Sequence, residues 1–273
     1  MQTGTRSNGS RVLMAWSSGK DALWALHVAR ETGMEVASLL TTITDPYRRV
    51  SMHGVREELV RAQGRALGLP LMEVRIPAQC TDETYAAAMR QALEQAKRDG
   101  ATGAAFGDIH LADVRAYREQ RMADVGMDCH FPLWGRDSAE LAREMLAGGV
   151  KAYVACLDPR RLPRELAGRE YDLALLAQLP DGVDACGENG EFHTFAFDGP
   201  GFCESVAVTL GEVVERSGFI YADLIAADEQ RGLASSEQET RAASAARRLG
   251  LKAAVAVAES PSHLRPPRRS PAT

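Results

Sequence analysis

The sequence predicts an α/β protein: a parallel β-sheet with helices on both faces, followed by a smaller α+β subdomain. Short apolar runs alternate with amphipathic segments of helical length from residue 11 onward, a pattern typical of right-handed β-α-β units. Glycine and proline residues separate these runs. Beyond residue 135 the alternation gives way to short helices and a hairpin pattern, which favours a subdomain of a different class.

The first unit should span residues 11–135. Buried strands are predicted at 12–16, 36–43, 71–76, 102–106 and 128–130. Helices are predicted at 20–32, 54–67, 81–98 and 112–124. Thr81 precedes two acidic residues and is the expected N-cap of the third helix. Ligands of such sheets bind where the strands end, at their carboxyl edge.

The second unit should span residues 136–227. It opens with Asp137 and Glu140, the spacing of a capping box, at the start of a helix over 137–147. A strand over 150–157, short helices within 164–178 and a hairpin of strands 206–214 and 219–224 should follow. Residues 228–273 are rich in Ala, Ser, Arg and Pro, which predicts a weak helix and then a disordered tail.

Composition narrows the class of protein. The chain has 273 residues, of which 45% are apolar, and its net charge is −5, so we expect no general attraction to nucleic acid. We find no apolar run of membrane-spanning length and no signal peptide, and we expect a cytoplasmic protein. The five cysteines are widely spread without zinc-like spacing, which predicts free thiols and no metal site.

A glycine-containing turn joins the first strand to the first helix. It consists of Ser17, Ser18, Gly19, Lys20 and Asp21. Backbone N–H groups and a helix N-terminus converge on an anion in such a turn, and we predict that these five residues bind a nucleotide phosphate. The sequence is neither a Walker A motif nor a dinucleotide fingerprint. A simple tight turn capped by Asp21 is the alternative.

This turn, read on to Ala22, resembles the S-G-G-x-D-S loop of the PP-loop ATP pyrophosphatases. The resemblance implies a Rossmann-like, adenine nucleotide alpha hydrolase-like fold that binds ATP. Two positions depart from the motif. Ser18 stands for a glycine and Ala22 for a serine whose hydroxyl is expected to contact phosphate.

Three later segments resemble the diphthine-ammonia ligase family: residues 107–109, 132–137 and above all 187–194, Gly-Glu-Asn-Gly-Glu-Phe-His-Thr. The resemblance extends over about residues 11–224. It implies ATP and Mg²⁺ as cofactors, and a substrate carboxylate that attacks the α-phosphate of ATP. Ammonia then displaces AMP to form an amide. The implied partners are ATP, ammonium and a carboxylate acceptor, either diphthine on an elongation factor or a small acid. An oligomer is compatible with the sequence.

Four residues are the candidate catalytic groups: Lys20, Asp108, Glu188 and Glu191. Lys20, taken as an exposed loop charge, would stabilise the leaving pyrophosphate. Asp108 follows a strand end and would hold Mg²⁺ or the amine, or it caps the next helix. Glu188 and Glu191 would hold ammonium and accept its proton. The composition of this segment alone favours a solvated turn, and the family resemblance favours the functional role.

Other side chains are candidates for contacts in or near the same site. His53 and Arg56 follow the second strand, where adenine or substrate is expected, and Arg136 is a candidate for binding a carboxylate or forming a helix-start ion pair. Trp134 should pack between the two units. The alternative functions are a PP-loop enzyme that adenylates another acceptor such as RNA, and a nucleotide-binding module without turnover.

Overall fold

The structure is a computed structural model that describes residues 10–227. The described residues all fall within one compact unit, residues 1–229. The tail predicted for residues 228–273 lies outside the described residues. Within the described part of the chain, no helix is both long and apolar enough to cross a membrane.

A six-stranded sheet forms the first layer, as predicted. Strand β2 lies between β4 and β1, and the order continues through β5 to β6, all parallel. The end of β2 also pairs with the short antiparallel strand β3, which the sequence analysis did not predict. The strands are β1 (Arg11–Ala15), β2 (Glu35–Asp45), β3 (Arg49–Val50), β4 (Leu71–Pro77), β5 (Gly103–Ala105) and β6 (Asp128–His130).

Four helices connect these strands, close to the predicted bounds. Thr81 caps the third of them, since its hydroxyl accepts a hydrogen bond from the Thr84 amide at 3.2 Å. Apolar clusters lie on both faces of the sheet, which is why its strands read as nearly continuous apolar runs. The helices are α1 (Lys20–Glu31), α2 (Glu57–Ala66), α3 (Asp82–Arg98) and α4 (Ala112–Asp124).

A four-stranded antiparallel sheet forms a further layer, in the order β8-β7-β10-β9. Its predicted hairpin is confirmed, because β9 pairs with β10. Asp137 caps α5 by accepting from the Glu140 amide at 2.9 Å. The elements are α5 (Ser138–Ala147), β7 (Lys151–Leu157), a 3-10 helix (Arg164–Leu166), α6 (Leu173–Leu176), β8 (Phe192–Asp198), β9 (Val208–Arg216) and β10 (Phe219–Ala226).

Strand β8 was not predicted as a strand, although it carries part of the candidate site. Its sequence, FHTFAFD, has apolar side chains at both alternating sets of positions, so it lacks the period of two that marks a half-buried strand. Pairing with β7 along its length creates it. The preceding glycine-rich segment therefore runs into a sheet rather than into a solvated loop.

Helix α1 packs against both sheets, contacting β1, β2 and β5 on one side and β8 on the other. One apolar core accordingly includes Leu23 and Leu26 of α1 together with Val154 and Phe195 of the antiparallel sheet. The α/β fold class with an α+β addition is confirmed. The boundary between units 11–135 and 136–227 stays a prediction.

Candidate functional site

A cleft of about 630 Å³ opens at the carboxyl edge of the parallel sheet. Its floor consists of the end of β1, residues 40–42 of β2, the residues that follow β5 and the first turn of α1. Its outer wall consists of α3 and α4. The 186–194 segment forms the opposite wall, apart from Glu191. The tertiary structure thus brings two distant motifs of the sequence to one cavity, at the edge where parallel sheets bind ligands.

The Ser17–Gly19 turn is held tightly. Ser18 is fully buried and has a left-handed backbone with φ of 74°, a conformation that favours glycine. A Cβ atom on Gly19 would lie 3.2 Å from the Thr194 carbonyl oxygen and 3.3 Å from Cε1 of His53. The close approach of Thr194 and His53 therefore explains the glycine at position 19. At position 18 a serine adopts the left-handed conformation that favours glycine.

Two side chains from distant elements support this turn. Gln63 is fully buried, accepts from the Trp16 indole at 2.8 Å and donates to the Ser18 carbonyl at 3.0 Å. Thr194 accepts from the Lys20 backbone amide at 3.1 Å. Gln63 was not predicted as a site residue. The signal for it in the sequence was a polar residue on the apolar face of α2.

Lys20 points into the protein interior. Its side chain is 1% exposed, and its ammonium donates to Asp21 at 2.9 Å and to the Cys186 carbonyl at 2.5 Å. The ammonium also lies 5.0 Å from the ring centre of Tyr171 and 5.1 Å from that of Phe192. Burial lowers the pKa of Lys20, but the charge and hydrogen bond of Asp21, together with the nearby Cys186 and Asp184, outweigh this and the net pKa is raised. The expectation of an exposed loop charge is wrong, because α1 packs under the 186–194 segment.

Asp21 lies between this lysine and the cleft. Its second carboxylate oxygen, Oδ1, is buried without a hydrogen-bond partner among the described residues, and the side chain lines the cavity. Burial raises the pKa of Asp21, although Lys20 counteracts the shift. The hydroxyl of Thr41, in β2 just beyond the residues that pair with β1, is likewise buried in the cleft floor without a partner among the described residues.

The two glutamates of the 187–194 motif have different surroundings. Glu188 lines the cleft and accepts from the Ile109 amide at 2.7 Å and the His110 amide at 3.3 Å. Burial raises its pKa, and the nearby charges of Asp21 and Asp108 add to the shift. Glu188 therefore joins its own segment to the loop after β5.

Glu191 is 1% exposed and lies outside the cleft lining. Its carboxylate accepts from the Asp184 amide at 3.1 Å, the Asn189 amide at 3.0 Å and the Asn189 side chain at 3.1 Å. Arg161 approaches it at 3.3 Å. These contacts stabilise the turn at residues 184–191. The Glu191 carboxylate, which was expected to face ammonium, instead accepts hydrogen bonds from its own chain in this structure.

Asp108 lies in the cleft lining at the end of β5. Its carboxylate pairs with Arg118 on α4, with Nη2 to Oδ1 at 3.0 Å. The Arg118 guanidinium in turn lies 4.6 Å from the ring centre of Phe106. Asp108 thus reaches the cavity with its charge already compensated.

The other candidates separate into two groups. His53 and His193 both line the cleft, with ring centroids 4.4 Å apart. Arg136 pairs with Glu144 outside it, and Arg56 pairs with Asp223 at 2.8 Å, also outside it. Trp134 lies beneath Arg115, whose guanidinium is 4.6 Å from its ring, and takes no part in the lining.

A helix N-terminus behind a close-fitting glycine turn, at the carboxyl edge of a parallel sheet, is the arrangement expected of an α/β protein of the PP-loop class. The comparisons agree with this class. Residues 10–129 match the diphthamide synthase N-terminal domain. A diphthine–ammonia ligase of Danio rerio is 27% identical over 235 residues, which cover 78% of this chain and 91% of that protein.

Two mammalian relatives match a shorter region. Diphthine–ammonia ligases of Mus musculus and Homo sapiens are 36% and 35% identical, each over 96 residues. These matches cover 33% of this chain and 36% of each relative. The chain is thus similar to diphthine–ammonia ligases over most of its length, and to the diphthamide synthase N-terminal domain over residues 10–129.

Proposed function

We propose that this protein is an ATP-dependent, AMP-forming ligase that adenylates a substrate carboxylate and then converts it to an amide with ammonia. One observation carries the proposal: the Ser17–Gly19 turn and the 187–194 segment, remote in sequence, bound the same cleft. The named activity of the relatives supports the reaction type. The reaction would take place in the cytoplasm.

The cleft has features that fit ATP. The first N–H groups of α1 have no acceptor one turn earlier, and the absence of a Cβ on Gly19 keeps that turn compact. The unpartnered oxygens of Asp21 and Thr41 are suited to bind ligand donors or ordered water. Mg²⁺ bound to the phosphates would neutralise part of their charge, and we assign no protein ligand to it.

In this proposal the turn binds the pyrophosphate that leaves. The Ser18 and Asp21 amides and the Ser17 hydroxyl, which lines the cleft, would donate to it, whereas the Lys20 amide already donates to Thr194. Lys20 would act from behind the turn, since its ammonium contacts Asp21 and the Cys186 carbonyl. Its direct contact with phosphate, predicted from the sequence, would require the side chain to leave these partners.

Glu188 and Asp108 are the carboxylates that we place beside the acceptor. Both line the cleft, and the raised pKa of Glu188 suits a group that accepts a proton from the attacking amine. Glu191 would contribute by ordering the segment that carries Glu188. We propose diphthine or another carboxylate as the acceptor and ammonium as the nitrogen source.

Phosphorus NMR of ATP, Mg²⁺, ammonium and candidate carboxylates, including elongation factor bearing diphthine, tests this function. We expect AMP and pyrophosphate to accumulate. Gly19→Val should abolish their formation, because its side chain would overlap Thr194 and His53. Arg136→Ala, outside the cleft, is the matched control and should retain the activity. ADP and phosphate as products would contradict α-phosphate chemistry, and bound but unchanged ATP would favour a nucleotide sensor.

A further inference from the structure

Two histidines form a stacked pair in the wall of the cleft. His53 lies in the turn before α2 and His193 on β8, with ring centroids 4.4 Å apart and planes inclined by 32°. Nδ1 of His53 lies 3.3 Å from the Thr194 carbonyl oxygen. A carbonyl can only accept, so Nδ1 carries the hydrogen and Nε2 of neutral His53 keeps a lone pair.

The pair lies next to the Ser17–Gly19 turn. Cε1 of His53 would be 3.3 Å from a Cβ on Gly19. Thr194, which follows His193, bonds the first backbone amide of α1. Both imidazoles line the cleft. A ligand held at the N-terminus of α1 would therefore have the histidine pair beside it.

The charges around the pair keep it neutral in the structure. Burial lowers the pKa of His193 to about 4, and the Lys20 ammonium adds to this shift. Burial is the main reason why the pKa of His53 lies well below its usual range. The neighbouring His193 lowers this pKa further, and Lys20 has a weaker effect in the same direction. Glu191 raises the pKa of His193 only weakly. Across the sheet His193 faces Cys156, a thiol whose pKa is raised to about 12 and which is uncharged.

Neither imidazole has a carboxylate hydrogen-bond partner in the described part of the chain. A buried histidine that serves only packing gains nothing from facing a cavity, whereas a neutral imidazole beside an anion site is poised to gain a proton. An anion within about 4–6 Å favours the charged form by about 1–3 pKa units. Two rings this close disfavour a second charge, so the pair should take up one proton.

We propose that His53 and His193 are a proton-binding part of the phosphate site: a polyphosphate in the cleft brings one proton onto the pair, and the imidazolium donates to a phosphate oxygen. The proton comes from solvent and no covalent bond changes. This inference rests on the proposed nucleotide binding and adds two residues to it. In the ligase reaction the same imidazolium would stabilise the departing pyrophosphate.

Isothermal titration calorimetry with ATP and Mg²⁺ tests the proposal. Titrations at pH 6.5 in buffers of different ionisation enthalpy measure the protons taken up on binding. We expect uptake by the wild-type protein and its loss in His193→Gln and His53→Gln. The affinity of the wild type should rise by up to about tenfold per pH unit on acidification. Protonation of free ATP is common to all variants and cancels in the comparison.

His110→Gln is the matched control, because His110 is exposed and outside the cleft lining, and it should behave as the wild type. His193→Phe keeps a ring against His53 and serves if the glutamine variant fails to fold, which thermal unfolding would reveal. Equal proton uptake in wild type and both histidine variants overturns the inference while leaving nucleotide binding intact. No binding of ATP at either pH 6.5 or pH 8 overturns the proposed function and this inference together.

Discussion

The Thr194 hydroxyl accepts a hydrogen bond from the Lys20 backbone amide at 3.1 Å. A side chain of β8 thereby caps the helix that begins at the Ser17–Gly19 turn, across a separation of 174 residues. The two segments by which the family is recognised are thus joined directly, and any ligand at the turn depends on the position of β8.

Thr194→Val should weaken both stability and ATP binding. Thr194 is 1% exposed, so valine leaves the Lys20 amide without an acceptor in the interior, at a cost of about 1–2 kcal/mol. Urea unfolding measures the free energy of unfolding, and calorimetry measures the affinity. Thr194→Ser restores the hydroxyl and should recover most of both. If Thr194→Val has the same free energy of unfolding as the wild type, the hydrogen bond from Lys20 to Thr194 does not stabilise the protein.

Ser18→Gly should stabilise the protein. Ser18 has a φ of 74°, and its buried hydroxyl has no partner among the described residues. Glycine relieves about 1–2 kcal/mol of backbone strain and loses part of that gain to unfolded-state entropy, which leaves about 1 kcal/mol. Ser217→Gly, at a φ of 52° in the exposed β9–β10 turn, should give a comparable gain without altering ATP affinity. A lower melting temperature for Ser18→Gly would show that the hydroxyl makes a favourable contact.

Lys20→Met should destabilise the fold by about 3 kcal/mol, since it leaves Asp21 and the Cys186 carbonyl without their buried partner. Lys151→Ala provides the contrast: Lys151 pairs with Asp198 at 3.0 Å, but its side chain is 52% exposed, so its loss should have little effect on stability. Chemical denaturation of both variants separates the two cases. Similar small losses would place Lys20 at the surface after all.

Glu191→Gln and Glu188→Gln should act differently. The Glu191 carboxylate is surrounded by donors from Asp184, Asn189 and Arg161, and a glutamine NH₂ group would oppose one of them, so we expect a loss of about 2 kcal/mol. Glutamine at 188 keeps an oxygen for the Ile109 and His110 amides. Glu188→Gln should therefore remain stable and slow amide formation, as followed by product analysis. The reverse pattern would exchange the roles assigned to the two residues.

Acid should destabilise the ligand-free protein through the histidine pair. Both folded pKa values lie below the usual value, so the unfolded chain binds the protons more readily. This contribution to stability is complete above about pH 6.5. It is lost as the pH falls toward the folded pKa of His193, about 4.

Urea unfolding at pH 7.5 and at pH 5 should thus show a loss of about 2 kcal/mol from His193. His193→Gln should lack this part of the loss. Saturating ATP should reduce it in the wild type, because the bound state accepts the proton. An identical pH dependence of wild type and His193→Gln would show that His193 is not held neutral by folding.

Most helices and parallel strands could be predicted from the sequence because their signals are local. A buried strand, a Gly-containing turn and an amphipathic helix appear in order around the Ser17–Gly19 turn, and the caps Thr81 and Asp137 begin helices as predicted. Strand β8 has no such period, and only its pairing with β7 forms it. The positions of Glu188 and Glu191 depend on that strand. The sequence alone therefore could not show that one glutamate lines the cleft and the other does not.

The α/β class, the Gly-containing turn and the resemblance to the family could be predicted from the sequence, because they depend on residue order and periodicity over short stretches. Only tertiary packing determines which side chains meet at the cleft. Because of this packing, Lys20 points inward, Gln63 lies under the turn and His53 lies against His193. These contacts join residues far apart in the chain through the packing of α1 between two sheets, and no local pattern encodes a packing of that range.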